Sequence, residues 1–534
     1  MKVAFLFLPP WDPKYPSYAM ALFKASTKEH GHDFIGFDLN VDLFNAAQDH
    51  DKKLWDAQHA NLWEVDRDNI IQKYAYYLDA YTEEIITNQA DLYAISIIYY
   101  SRFLAFYIAQ RIKKLIPKAS ILVGGPQCFP AYSGLNILEN RNIDAICAGE
   151  GDIIWPNVLR HFDKNRNLQI NIPGLSYKKD DGTIIDNGVP ELVKDLNSVP
   201  LPDYSDIDFA KYGHKYHLSI MTSRGCINTC AFCSERPNFR KYRYRSAENI
   251  FNEISKHLGD LNTYFSINRD KIAISYKQNI LTKIAKQYYH QLKFRCSGKL
   301  FKKTARYFYH KYKETTFGKI LGRAGDLLGP VTIDPINGIV PYISFNDSLI
   351  NGAPSELDKF CDLVIENNLK FSWGGMALIR KEMTYDLFVK MKKAGCYNLA
   401  WGMESGCQEV LNLMHKRFFN MDLAKEVIKA AFKADISQTI ALIVGFPGET
   451  EEMLLETKAF LAEYKDFFAA VSVQPMMVVK NSLVYDKPEL FGVNRGDDGL
   501  RWETTDGMNN YDVRLKRVEI IKSVLDGNVI TIDK

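Results

Sequence analysis

Short apolar runs of strand length alternate with longer amphipathic stretches through the first third of the chain. Residues 3–8 form one such run, closed by Pro9-Pro10. Residues 34–37 close on Asp38, and residues 92–98 follow. Residues 120–123 close on Gly124-Gly125, and residues 143–148 close on Gly149-Glu150-Gly151. Unbroken apolar runs of this length suit strands buried on both faces of a parallel sheet. Helical stretches lie between them: residues 17–30 ended by Gly31, residues 102–115, and one from Ile153. The alternation predicts a doubly wound, Rossmann-like α/β domain over residues 1–165, with ligands at the carboxyl ends of its strands.

Residues 171–204 are rich in Gly, Asp and Pro and read as a small hairpin and an extended connection, so residues 166–210 are the expected linker. Strand-helix alternation resumes at residues 217–222. It continues, after an interruption, at 342–345, 369–373, 397–401, 439–444 and 470–477. Chemistry-bearing residues follow these runs: Asn346-Asp347, Gly374-Gly375, Gly402-Met-Glu404-Ser405-Gly406 and Gly445-Phe-Pro-Gly448-Glu449-Thr450. Six such strands predict a partial (β/α)6 barrel over residues 211–485, its site again at the strand ends. The tail, 486–534, contains Trp502 and a helix from about Asn510 to Leu525, expected to pack under the barrel or against the first domain.

The interruption, at about residues 261–338, changes the charge picture. Residues 271–323 carry 14 Lys and Arg against one acid, Glu314, in a chain whose net charge is only +3. Aromatic residues are interleaved there, among them Tyr288, Phe301 and Tyr309. A solvated helical hairpin accounts for the pattern. So does docking on an anionic partner or membrane surface, on the barrel face away from the strand ends. The remaining bulk is ordinary: 534 residues, 46% apolar and 25% charged, enough for two or more domains. The net charge is too small to imply a nucleic-acid binder. The first apolar run is too short for a signal peptide, and no run of about 18 apolar residues suggests a membrane span. Unpaired cysteines suit a reducing cytoplasm, with any membrane association peripheral.

The densest chemistry is Ser223-Arg-Gly-Cys226-Ile-Asn-Thr-Cys230-Ala-Phe-Cys233, three of the chain's nine cysteines in a C-x3-C-x2-C spacing. Thiolates this close in a loop can face one centre, and soft sulfur ligands select zinc, copper(I) or iron–sulfur clusters. Closed zinc sites want four N or S ligands, usually in two pairs. Here there are three, with no His nearby. Three suit a cubane with one iron left open; structural zinc and a free-thiol loop are the alternatives.

The spacing, the Arg-Gly before it and Phe232 before the third cysteine resemble the radical S-adenosylmethionine (SAM) superfamily. The resemblance implies a [4Fe–4S] cluster on Cys226, Cys230 and Cys233, SAM bound at its open iron, and reductive cleavage of SAM to a 5′-deoxyadenosyl radical. It places Phe232 at the SAM site, Asn346 and Asp347 at the amino group, Glu404 and Ser405 at the ribose, and Gly445, Gly448 and Glu449 near the adenine and methionine moieties. It also sets Arg243-Tyr-Arg245-Ser246 beside the cluster loop. The first domain resembles the cobalamin-binding domain that precedes many radical SAM domains. The implied cobalamin contacts are Pro10, Ser96, Ile98, Gly124, Gly125, Gly149 and Glu150, although glycines after strands are also ordinary turns. Residues 11–16 hold no His where some relatives supply a cobalt ligand. The implied activity is cobalamin-dependent methyl transfer to an unactivated carbon by way of methylcobalamin. Its substrate would be a small molecule or lipid, with an external one-electron donor and no nucleic acid. A radical SAM cyclase or rearrangement enzyme is the alternative. A tRNA methylthiotransferase would need more cluster cysteines than Cys128 and Cys147 ahead of residue 200. A cobalamin or redox sensor would not need the SAM loops.

Overall fold

The structure is a computed structural model. It describes residues 1–56, 59–98, 100–129, 134–188, 191–214, 216–267, 333–334, 338–496, 499–525 and 530–531. The basic segment 271–323 and Cys296 lie outside the described residues.

Strands β1 (Lys2–Phe7), β2 (Asp33–Asp38), β3 (Leu92–Ser96), β4 (Ser120–Gly124) and β5 (Ala145–Cys147) form a parallel sheet. Its order is β2-β1-β3-β4-β5, which places a crossover point beside β1, where such sheets open a crevice. Alternate residues of β1 feed two cores. Ala4 and Leu6 pack with helices Arg67–Thr87 and Arg102–Leu115; Val3 and Phe5 pack with helices Tyr18–Glu29 and Gly151–Asn165. Helix Tyr18–Glu29 starts where Ser17 accepts a hydrogen bond from the Met20 amide. The hairpin expected in the linker, β6 (Leu175–Lys178) and β7 (Ile184–Asp186), adds two antiparallel strands to this sheet.

The second sheet is parallel throughout, in the order β8, β13, β14, β15, β16, β17, β20 from one edge. Strand β8 is His217–Ile220. A hairpin of β9 (Ser223–Arg224) and β10 (Arg243–Tyr244) follows it, then helix Ala247–Ile267 and the two-residue strands β11 (Ile333–Asp334) and β12 (Gly338–Ile339). The wall continues with β13 (Tyr342–Phe345), β14 (Ser372–Ala377), β15 (Cys396–Glu404), β16 (Ser437–Val444) and β17 (Ala470–Pro475). After the small pair β18 (Val493–Asn494) and β19 (Glu503–Thr504), β20 (Ile530–Thr531) adds a last strand beside β17. Period-two alternation is clean in β16. Ile440, Leu442 and Val444 join the core under the helices, while Ser437, Thr439 and Ala441 face the other way.

Several strand boundaries differ from the expected ones, and two of the differences bear on the site. The run expected at 369–373 pairs as Ser372–Ala377, so Gly374 and Gly375 lie inside the strand. A Cβ on Gly374 would sit 2.6 Å from both the Asn398 carbonyl oxygen and the Tyr342 hydroxyl, so close packing rather than a turn demands that glycine. Strand β15 runs on to Glu404 through a register shift at Gly402, which leaves Glu404 at φ +67°. The tail helix, Tyr511–Lys522, buries Val518 and Ile521 in the core of the second sheet. Among the described residues no helix is long and apolar enough to cross a membrane.

Candidate functional site

The cysteine loop leaves β9 at Gly225. Its φ is +79°, and a Cβ there would lie 2.7 Å from the Lys241 carbonyl oxygen, so only glycine lets β10 close over the start of the loop. Two backbone amides point at sulfur: Asn228 N–H at Cys226 Sγ and Glu235 N–H at Cys233 Sγ, each 3.4 Å away. Buried Ala231 pins the middle of the loop. Its N–H donates to the Met414 carbonyl at 2.9 Å, and its own carbonyl accepts from Val484 at 3.1 Å. Burial raises all three thiols, Cys230 to about 12, and the Lys416 ammonium opposes that at Cys226 and Cys230. Phe232 packs against a buried cluster that includes Val410, Met414, Phe446 and Trp502.

Asp347 lies at the root of this loop. Its buried carboxylate accepts from Thr222 Oγ1 at 2.9 Å and from the Ser223 amide, and burial pushes it up to about 7. The resemblance put Asp347 against the SAM amino group; here it braces the turn between β8 and β9. Asn346 remains exposed, accepting only from Ser344 Oγ at 3.0 Å.

At the end of β15, Glu404 pairs with Lys416 at 2.8 Å, and both side chains are buried. Ser405 ties its turn to helix Glu451–Tyr464, its hydroxyl 2.8 Å from Thr457 Oγ1 and accepting from the Cys407 amide at 3.1 Å. Glu449 likewise turns inward. It accepts from the Gly445 amide, lies 3.7 Å from Arg517, and is pushed up to about 7 by burial. Gly445, at φ +81°, would put a Cβ 2.4 Å from Arg514 Cγ. Arg514 in turn stacks 3.8 Å over Trp502 and donates to the Trp502 carbonyl at 2.9 Å. Gly448 completes that turn at φ +90°.

In the first domain, buried Pro10, half-buried Ser96, buried Ile98 and half-buried Gly124 and Gly149 follow or close the strands as expected. Gly125 has φ +106°, and a Cβ would lie 2.2 Å from the Ile97 carbonyl oxygen. Glu150 is paired within the protein. It accepts from the Val193 amide at 2.7 Å and takes a forked pair from Arg243 at 2.8 and 2.6 Å. Asp152 takes a second fork from Arg224 at 2.7 and 3.1 Å. The start of helix Gly151–Asn165 is thereby tied to the hairpin that launches the cysteine loop. Arg245 pairs with buried Glu253.

The structure therefore gathers the three cysteines, Glu404 and Lys416 at one end of the second sheet. It holds Asp347 and Glu449 in supporting turns, and it links the strand ends of the first domain to the same loop. Lys416, Arg514 and Arg517 carry no motif spacing and were missed from the sequence. Among the described residues, no trio of His, Cys, Asp and Glu is gathered closely enough to hold a single metal ion. Three thiols on one short loop, with backbone amides aimed at two of the sulfurs, are the type of donor that iron–sulfur clusters use.

No protein-family model matches the chain. An uncharacterized methyltransferase of Pyrococcus horikoshii is 26% identical over 236 residues, 42% of this chain and 48% of the relative. The anaerobic magnesium-protoporphyrin IX monomethyl ester cyclase of Rubrivivax gelatinosus is 27% identical over 182 residues, 33% of this chain and 32% of the relative. The chain thus spans less than half the length of these curated relatives. The solved structure of the radical SAM methyltransferase TsrM from Kitasatospora setae, with cobalamin and a [4Fe–4S] cluster bound, is 11% identical with a TM-score of 0.58, over 98% of this chain and 81% of TsrM. At that identity the likeness speaks for the fold. The chain thus shares its fold, two α/β units in the same order, with a cobalamin-bearing radical SAM methyltransferase.

Proposed function

We propose that the protein is a cobalamin-dependent radical SAM enzyme that methylates an unactivated carbon of a small-molecule or lipid substrate, drawing electrons from an external donor. The observation that carries this reading is the double fork of Arg243 on Glu150 and Arg224 on Asp152, which sets a crevice-bearing α/β domain directly against the three-cysteine loop. Cys226, Cys230 and Cys233 would hold the cluster. The open strand ends around Asn346, Glu404 and Gly445 would receive SAM, and those around Pro10, Ser96, Ile98, Gly125 and Gly149 would receive cobalamin. Together these groups supply one-electron cleavage of SAM and carriage of a methyl group. The chain positions them, and the half-buried loop limits water around the thiolates. A cyclase reading is also supported, by the match to the magnesium-protoporphyrin cyclase. The basic segment 271–323 is proposed to dock on an anionic surface rather than serve the chemistry.

The test is anaerobic reconstitution with iron, sulfide and cobalamin, then reaction with SAM, a strong reductant and cell extracts. Methyl transfer should release both 5′-deoxyadenosine and S-adenosylhomocysteine. Deoxyadenosine without S-adenosylhomocysteine would favour cyclisation, and neither product would overturn the enzymatic reading.

A further inference from the structure

Lys416 is 4% exposed, and its side chain reaches the centre of the candidate site. A buried ammonium is costly unless it is paired. Glu404 supplies one partner at 2.8 Å. The same ammonium acts on the Cys226 and Cys230 thiols, opposing the effect of their burial.

The backbone fixes this arrangement. The Lys416 amide donates to the Leu411 carbonyl at 2.8 Å, and the adjoining Met414 carbonyl holds Ala231 in the middle of the cysteine loop at 2.9 Å. One turn therefore sets both the lysine and the loop. Gly402 leaves room for it: a Cβ there would sit 3.2 Å from Lys416 Nζ and 2.8 Å from Glu404 Oε1.

Around a cluster, three thiolates and the Glu404 carboxylate would crowd negative charge into a half-buried space. Reduction adds one more electron. Nearby charge and hydrogen bonding are the levers that set cluster potentials, and a cation acts strongly where water is excluded. Accepting the cluster assignment above, we propose that Lys416 is a positioning residue whose buried ammonium, held by Glu404, offsets the charge of the Cys226 and Cys230 thiolates and makes the cluster easier to reduce.

The experiment is a redox titration of the full-length, anaerobically reconstituted protein, followed by paramagnetic resonance, with iron content measured in parallel. Lys416→Met should shift the one-electron equilibrium at least tenfold toward the oxidised form, about 59 mV more negative. Lys416→Arg should stay near the wild type. A loaded Lys416→Met protein with the wild-type potential would overturn the proposal, because a packing role alone survives that change. Where Lys416→Met takes up no iron, Lys416→Met with Glu404→Gln is compared with Glu404→Gln alone, which isolates the lysine charge. A potential below that of Glu404→Gln then supports the proposal, and an equal one overturns it. Iron lost from both methionine variants but kept by Lys416→Arg also supports a charge role; iron lost from Lys416→Arg as well overturns it. A wild-type protein that takes up no cluster is a separate result, and it would overturn the functional reading itself.

Discussion

Glu449 and Asp347 are acids at strand ends that the fold turns away from the open site. Glu449 is raised from 4.5 to about 7 and Asp347 from 3.8 to about 7, both chiefly by burial. A raised folded value means that the native state binds the proton more tightly than the unfolded chain. The resulting stabilisation is full below the unfolded value and is lost as pH rises through about 7. Glu449→Gln keeps an acceptor for the Gly445 amide but cannot ionise. Between pH 5 and 8 the wild type should lose on the order of 2 kcal/mol relative to this variant, read from denaturant unfolding at each pH. Parallel pH curves would show that Glu449 does not titrate in that window. The cysteines make a sharper case. Cys226→Ala, Cys230→Ala or Cys233→Ala should each abolish iron–sulfur absorbance after reconstitution, whereas Cys361→Ala, at a buried helix position, should leave it intact. Equal loss in Cys361→Ala would refute the three-ligand assignment.

At the scale of elements, the β9–β10 hairpin ties the first domain to the cysteine loop. Arg224 and Arg243 sit opposite each other on its two strands, and each forks a carboxylate at the start of helix Gly151–Asn165. Removing one partner of a buried pair leaves the other charge uncompensated. Arg243→Ala should therefore cost about 3–5 kcal/mol, while Arg243→Met with Glu150→Gln should recover most of that loss. Urea unfolding of the three proteins decides it, and a double variant as unstable as the single one would deny the coupling. The tail helix works in the same way on the opposite wall. Arg514 and Arg517 reach from it to the Gly445–Glu449 turn. Gly445→Ala must both hold φ near +81° and displace Arg514, so it should destabilise the protein by at least 1 kcal/mol.

At the scale of the molecule, the first domain lies against the edge of the second sheet. Ala21 of its first helix enters the core of the second sheet, and Lys211 and Tyr212 reach back to Asp42 and Asp38 at 2.8 Å each. The two α/β units are packed together rather than merely strung on a linker. Replacing residues 271–323, which lie outside the described residues, tests the docking reading. Intact protein should float with anionic vesicles and less so as salt rises, because exposed charges are screened over about 8 Å at physiological ionic strength. A variant with a short turn in place of the segment should not float yet should still take up its cluster. Equal flotation of both would remove the docking role.

The order of residues alone determined the two α/β units, the parallel strands of both sheets except β20, and the loop of three cysteines. Strand runs, turn glycines and close ligand spacing are local properties, and local chemistry writes them directly into the order of residues. Which charged residue meets which was decided only by the tertiary structure. Glu150, Asp347 and Glu449 follow their strands as expected, yet all three carboxylates turn to partners set by packing. Lys416 stands twelve residues beyond Glu404, and Arg517 lies in a tail helix that only the completed sheet brings beside Glu449. Such pairs depend on the handedness and closeness of distant elements, and no spacing along the chain encodes that.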